Sequence, residues 1–134
     1  MKYLLDTNIC IFVIKKKPAC VLNHFLEHVA GDLGVSSVTV AELRYGAEKS
    51  ARPRQNHLAL DVFLAPLIVV DFDATAACHY GEVRAQLERG GIPIGPLDTM
   101  IAAHSLSLNV TLITSNTSEF ARVSGLRIEN WAEN

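Results

Sequence analysis

Apolar positions along this chain fall into short runs of four or five residues that alternate with stretches of helical spacing, separated by glycine, proline or small polar residues. Residues 2–6 form the first run, which closes on Asp6, and Thr7 and Asn8 behind it are good helix starters. The helix expected from Ile9 onward ends at Lys15-Lys16-Lys17, cations suited to a helix C-terminus, and Pro18 stops it. Val21, Leu22, Phe25, Leu26 and Val29 predict a second helix over 19–30. A strand is expected at 35–38, after which Thr39 and Glu42, at capping-box spacing, open a helix to about residue 50. The polar turn 51–56 leads to another helix ending before Pro66, so the two make a helical hairpin.

The continuous run Leu67-Ile68-Val69-Val70-Asp71 predicts a buried strand, and Asp73 caps a long helix over 74–89. Beyond the breaker-rich loop 90–96, a helix starts near Leu97-Asp98 with Leu97, Ile101 and Leu108 on one face. Residues 110–114 read as a strand, 115–120 as a loop turning into a short helix, and 128–131 as an edge strand. This alternation predicts an α/β fold with a mostly parallel central sheet and helices on both faces. Sites in such sheets form at the carboxyl ends of the strands, where Asp6 and Asn116 both fall.

With 134 residues, 49% of them apolar and 19% charged, the chain fits one domain, 1–134, able to build a core without disulfides or a structural metal. The longest apolar run, Ile9-Cys10-Ile11-Phe12-Val13-Ile14, is far short of the roughly 18 residues that cross a bilayer. Asp6 interrupts any signal-peptide core, so a cytoplasmic protein with no membrane partner is expected. Cys10, Cys20 and Cys78 have no C-x-x-C spacing and read as small apolar residues in a reducing compartment. The net charge of −2 argues mildly against a nucleic-acid partner, but with Asp6, Glu42, Asp98 and Glu119 set aside, ten acids remain against twelve Lys and Arg.

Those four acids, with Asn116, suggest a site for a hard divalent cation. Mg²⁺ and Mn²⁺ take oxygen ligands, and phosphodiester hydrolysis uses such ions to activate water and neutralise developing charge. Asp6 ends a strand, Glu42 and Asp98 are expected in the first turns of helices, and Asn116 and Glu119 open the last one. Each helix-start residue also has a purely structural reading as a cap or dipole partner. Asp71 follows a strand too and competes with Asp6 on position alone.

Leu4-Leu5-Asp6-Thr7-Asn8, Val40-Ala41-Glu42-Leu43-Arg44-Tyr45-Gly46-Ala47, Gly95-Pro96-Leu97-Asp98-Thr99-Met100-Ile101-Ala102-Ala103 and Thr114-Ser115-Asn116-Thr117-Ser118-Glu119-Phe120 resemble the four motifs of PIN-domain ribonucleases. More narrowly they resemble the VapC toxins of bacterial toxin–antitoxin pairs, in order and spacing along essentially the whole chain. The resemblance implies a single PIN-like domain and a Mg²⁺- or Mn²⁺-dependent endoribonuclease leaving a 5′-phosphate and a 3′-hydroxyl. Asp6, Glu42 and Asp98 match its acidic ligands. Many relatives carry Asp where this chain has Asn116, so the fourth ligand is the Asn116 amide oxygen, or Glu119 directly or through water. Implied partners are a VapB-type antitoxin lying over the acidic groove and the 40–64 hairpin, a structured RNA such as a tRNA anticodon loop, and a second copy of the chain. Thr7 and Thr114 are candidate carboxylate supports, though capping and strand packing explain them as well. Lys15, Lys16, Lys17, Lys49, Arg52, Arg54, Arg84 and Arg89 are the candidate phosphate contacts.

Rival readings exist. His24-Phe25-Leu26-Glu27-His28 matches the H-x-x-E-H pattern of zinc peptidases, with an amphipathic helix as the plain alternative. An aspartyl phosphotransferase wants a second Asp where Asn8 stands. A catalytically silent RNA- or protein-binding module on the same fold is the third. His57, His79 and His104 read as surface or satisfied helix residues, and Trp131 as the anchor of the C-terminal tail.

Overall fold

The computed structural model describes residues 1–133; Asn134, the last residue of the expected domain, lies outside them. Strand β1 (Tyr3–Leu5) leads into helices α1 (Thr7–Lys15) and α2 (Ala19–Glu27), then β2 (Leu33–Ser36). The hairpin α3 (Ser37–Glu48) and α4 (Pro53–Leu64) precedes β3 (Ile68–Val70), and α5 (Ala74–Arg89) and α6 (Pro96–Leu108) precede β4 (Thr111–Ile113). A short α7 (Thr117–Phe120) and β5 (Ile128–Glu129) complete the chain. The sheet order is β3-β2-β1-β4-β5, every pairing parallel.

That order follows from where the crossovers go. From β1 the chain moves outward through β2 to β3, then crosses back over α5 and α6 to place β4 on the other side of β1. The direction therefore reverses at β1, and the carboxyl ends of β1 and β4 flank the crevice that such a reversal leaves. Period-2 alternation along the central strands feeds two cores. Leu5 and Ile113 face a layer with Ile9, Val13, Val21, Leu43 and Leu60 from α1–α4. Leu4 and Leu112 face the opposite layer with Val83, Leu87, Ile101 and Ala102 from α5 and α6.

Several expected boundaries shift. Strand β2 occupies residues 33–36 rather than 35–38, because Gly34 lies inside the strand and Ser36, not Thr39, caps α3 by accepting from the Val38 N–H at 3.1 Å. Glu42 consequently stands in the second turn of α3, and the Thr39–Glu42 capping box does not form. Helix α2 stops at Glu27 instead of residue 30, and a single 3₁₀ turn at Ala30–Asp32 follows. Strand β3 is an edge rather than a buried strand: Ile68 and Val69 are 40% and 46% exposed. Its continuous apolar run reflects strand preference more than burial. Leu97 is 44% exposed, while Ile101 of the same helix is buried.

The remaining histidines differ from one another. His57 Nε2 lies 2.9 Å from Glu48, and His79 Nδ1 lies 3.0 Å from the Thr75 carbonyl. His104, expected on the surface or satisfied, is buried, with Nδ1 at 2.8 Å from the Ser36 hydroxyl and no hydrogen-bond partner for Nε2 among the described residues. Burial lowers its pKa.

Trp131 is fully buried, donates to Glu129 at 2.8 Å and packs with Tyr3 at a ring separation of 6.0 Å. It anchors the C-terminal tail as expected. The imidazoles of His24 and His28 lie nearly parallel to its indole, at 5.5 and 5.1 Å. Replacing this ring removes the largest buried side chain and leaves a cavity under the tail. Trp131→Ala is expected to cost about 3–5 kcal/mol in urea unfolding; a loss below about 1 kcal/mol would mean that the tail contributes little to the fold.

Candidate active site

Asp6 follows β1 directly and serves as N-cap of α1, a role the sequence pattern gave to Thr7 or Asn8. Its Oδ1 accepts from the Thr7 N–H at 2.8 Å and its Oδ2 from the Thr114 hydroxyl at 2.8 Å. The carboxylate is only 4% exposed, and burial raises its pKa while these two donors oppose the shift and Glu42 adds to it. Thr7 also donates its hydroxyl to Glu42 Oε1 at 2.8 Å, with Thr39 at 3.5 Å. One residue thus binds the carboxylates of Asp6, at the end of β1, and of Glu42 on α3. Thr7 and Thr114 are carboxylate partners here, which chain position alone could not separate from capping.

Asp98 stands in the first turn of α6, which Pro96 begins. Desolvation raises its pKa to about 6, and the charges of Asp6, Glu119 and Glu42 push in the same direction. Asn116 precedes α7 but makes no capping bond with its side chain; its Nδ2 donates instead to Glu119 Oε2 at 3.0 Å, so this pair is not a capping box. Its own N–H is held by the Thr114 oxygen at 2.9 Å. Asp6, Glu42, Asp98, Asn116 and Glu119 therefore meet at the crevice. Asp71 does not, because β2 separates its strand from β1.

The donor chemistry fits a hard divalent cation: every group is an oxygen ligand, and a cation would offset the neighbouring charges that add to the effect of burial on Asp98. As arranged, no three His, Cys, Asp or Glu side chains among the described residues converge closely enough to share one ion. The same holds at His24 and His28. His28 lies beyond the end of α2, both rings stack on Trp131, and no third ligand joins them among the described residues, so nothing here adds to the zinc-peptidase reading.

The basic candidates do not form one patch. Lys15, Lys16 and Lys17 are exposed at the end of α1, and Lys15 shares a groove of about 350 Å³ with Glu42, Ile11, Ile14, Leu43 and Leu60. Arg52 and Arg54 stand at the tip of the helical hairpin, where Arg52 contacts Gln55 at 3.4 Å. Arg84 is tied to Glu88 and Tyr80, both at 3.0 Å, on α5. Lys49 lies over the Tyr45 ring at 5.0 Å, and Arg89 is exposed at the end of α5.

The family model of the PIN domain matches residues 3–126. A tRNA(fMet)-specific endonuclease VapC from Shigella flexneri is 50% identical over 132 residues, covering 98% of this chain and 99% of that protein. Ribonuclease VapC2 of Rickettsia felis is 44% identical over 133 residues, with 98% of each covered. Among solved structures, DNA-bound VapBC from Salmonella typhimurium superposes with a TM-score of 0.93 at 45% identity, covering 98% of both chains. VapBC2 from Rickettsia felis, bound to a DNA fragment from its promoter, gives 0.90 at 43% identity, covering 98% of this chain and 99% of that one. With four ordered motifs, this sheet topology and relatives of equal length, the chain belongs to the PIN-domain family, in its VapC group.

Proposed function

We propose that this protein is the toxin of a type II toxin–antitoxin pair and a Mg²⁺- or Mn²⁺-dependent endoribonuclease acting in the cytoplasm on a structured RNA, a tRNA anticodon loop foremost. One observation carries the reading: acids from the end of β1 and from α3, α6 and α7 are gathered at the crevice, close enough that Asp6, Glu119 and Glu42 each add to the upward shift that burial gives Asp98. Capping explains such residues singly but gives no reason to bring like charges together. The relatives named above as ribonucleases support the activity, and the tRNA(fMet)-specific one supports the substrate class.

Asp6 and Asp98 would hold the ion, and Glu119 or the Asn116 oxygen would close on it by a side-chain movement as it binds. A bound Mg²⁺ or Mn²⁺ supplies charge neutralisation at the scissile phosphate and makes water a better nucleophile. Glu42, fixed by Thr7, orients the attacking water and takes its proton. Attack in line with the 3′-oxygen breaks the P–O bond, leaving a 5′-phosphate and a 3′-hydroxyl that draws its proton from solvent. Lys15, beside Glu42, is the basic residue best placed to meet the RNA backbone.

A VapB-type antitoxin is the proposed partner, supported by the VapBC complexes that share this fold, and homodimerisation is part of the same reading. The groove between α1, α3 and α4 carries Glu42 on an otherwise mostly apolar lining, so a chain segment seated there would cover the site. A stoichiometric antitoxin is expected to suppress cleavage; full activity in a stable complex would exclude an active-site block.

Asp6→Asn and Asp98→Asn are expected to lower cleavage of total RNA by ~100-fold or more, since each removes charge that faces the reacting phosphate through the ion. Mapping RNA ends with Mg²⁺, Mn²⁺ or chelator tests this, and retained turnover in either variant would overturn the assignment. Stability should move the other way. Because the Asp98 pKa rises from 3.8 to about 6 on folding, its charge costs stability above pH 6, and the cost fades as pH falls toward 4. Metal-free Asp98→Asn should therefore melt about 3 °C higher than the wild type at pH 7.5. The difference should vanish near pH 4, and a lower Tm at pH 7.5 would contradict a net cost of ionising Asp98 in the folded chain.

A further inference from the structure

We infer that Asn116 is a positioning residue whose side-chain amide fixes the Glu119 carboxylate beside Asp98, so that Asn116 acts on the metal ligands only through Glu119. The inference rests on the proposed metal-dependent activity and decides a point that the sequence leaves open.

Three features of the geometry point to it. Asn116 occupies an N-cap position yet makes no side-chain capping bond, so its amide is not engaged in starting α7. Its Nδ2 lies 3.0 Å from Glu119 Oε2. A carboxylate only accepts hydrogen bonds, so the nitrogen must face Glu119, whichever way the amide is first drawn. The backbone of Asn116 is itself registered to the site, because its N–H donates to Thr114 at 2.9 Å and that hydroxyl donates to Asp6 at 2.8 Å. A continuous path thus runs from Asp6 through Thr114 and Asn116 to Glu119, which stands next to Asp98. Supports of this kind set the orientation of ligating carboxylates without touching the ion.

The same contact explains why an amide suits position 116 here. A carboxylate in its place would put two like charges within hydrogen-bond distance and push Glu119 away. The amide instead donates to it.

The test is a double-mutant cycle read by Mn²⁺ binding, using isothermal titration calorimetry on the antitoxin-free full chain: wild type, Asn116→Ala, Asn116→Ser, Glu119→Ala, and Asn116→Ala with Glu119→Ala. Asn116→Ala is expected to weaken Mn²⁺ by about tenfold. Asn116→Ser, polar but too short to reach Glu119, should match it and serves if the alanine variant does not fold. In the Glu119→Ala background the second substitution should cost nothing further. Additive losses would make Asn116 a ligand in its own right, and undiminished binding in Asn116→Ala or Asn116→Ser would leave it no role; either result overturns the inference alone. A folded wild type that binds no Mn²⁺ overturns the proposed activity and the inference together.

Discussion

A carboxylate with almost no access to water is disfavoured unless donors meet it, and Asp6 is met by two, the Thr7 amide and the Thr114 hydroxyl. They reduce the cost of burial without cancelling it, since the pKa of Asp6 still stands above its ordinary value. The rest of the site depends on this arrangement. Thr7 carries the constraint to Glu42 on α3, and Thr114 carries it to Asn116 and on toward Glu119. The result is a set of like charges held near one another by neutral donors, with no Lys or Arg bonded to any of them among the described residues.

Such a set destabilises the chain that carries it, and the stability must come from elsewhere. Both faces of the sheet are covered, one by α1–α4 and the other by α5 and α6. Leu4 and Leu5, adjacent in sequence, feed the two cores from the central strand immediately before Asp6. The site is therefore built at the end of the central strand of the sheet, between two packed layers that hold its side chains in place. Topology does the rest, because the reversal of strand order at β1 opens a crevice over the ends of β1 and β4.

Much of this was legible in the sequence. Alternating apolar runs predicted the parallel sheet and its covering helices, and motif spacing picked out Asp6, Glu42, Asp98, Asn116 and Glu119. The misreadings share physical causes. The strand expected at 35–38 starts two residues late because Gly34 lies within β2, and the same shift puts Glu42 in the first rather than the second turn of α3. An apolar run cannot distinguish a central strand from an edge, so β3 looked buried. Threonine supports an N-cap, a strand or a carboxylate equally well, and only the pairing of β1 with β4 brings Thr114 to Asp6. The H-x-x-E-H pattern could not show that α2 ends before His28 or that both rings stack on Trp131, distant in sequence.

The most direct measurement is a crystal structure of the antitoxin-free protein grown with Mn²⁺, with the ion located by its anomalous scattering. The account predicts a peak at the carboxyl end of β1, within about 2 Å of oxygens from both Asp6 and Asp98. A peak that avoids those two carboxylates, or none at saturating Mn²⁺, would contradict it.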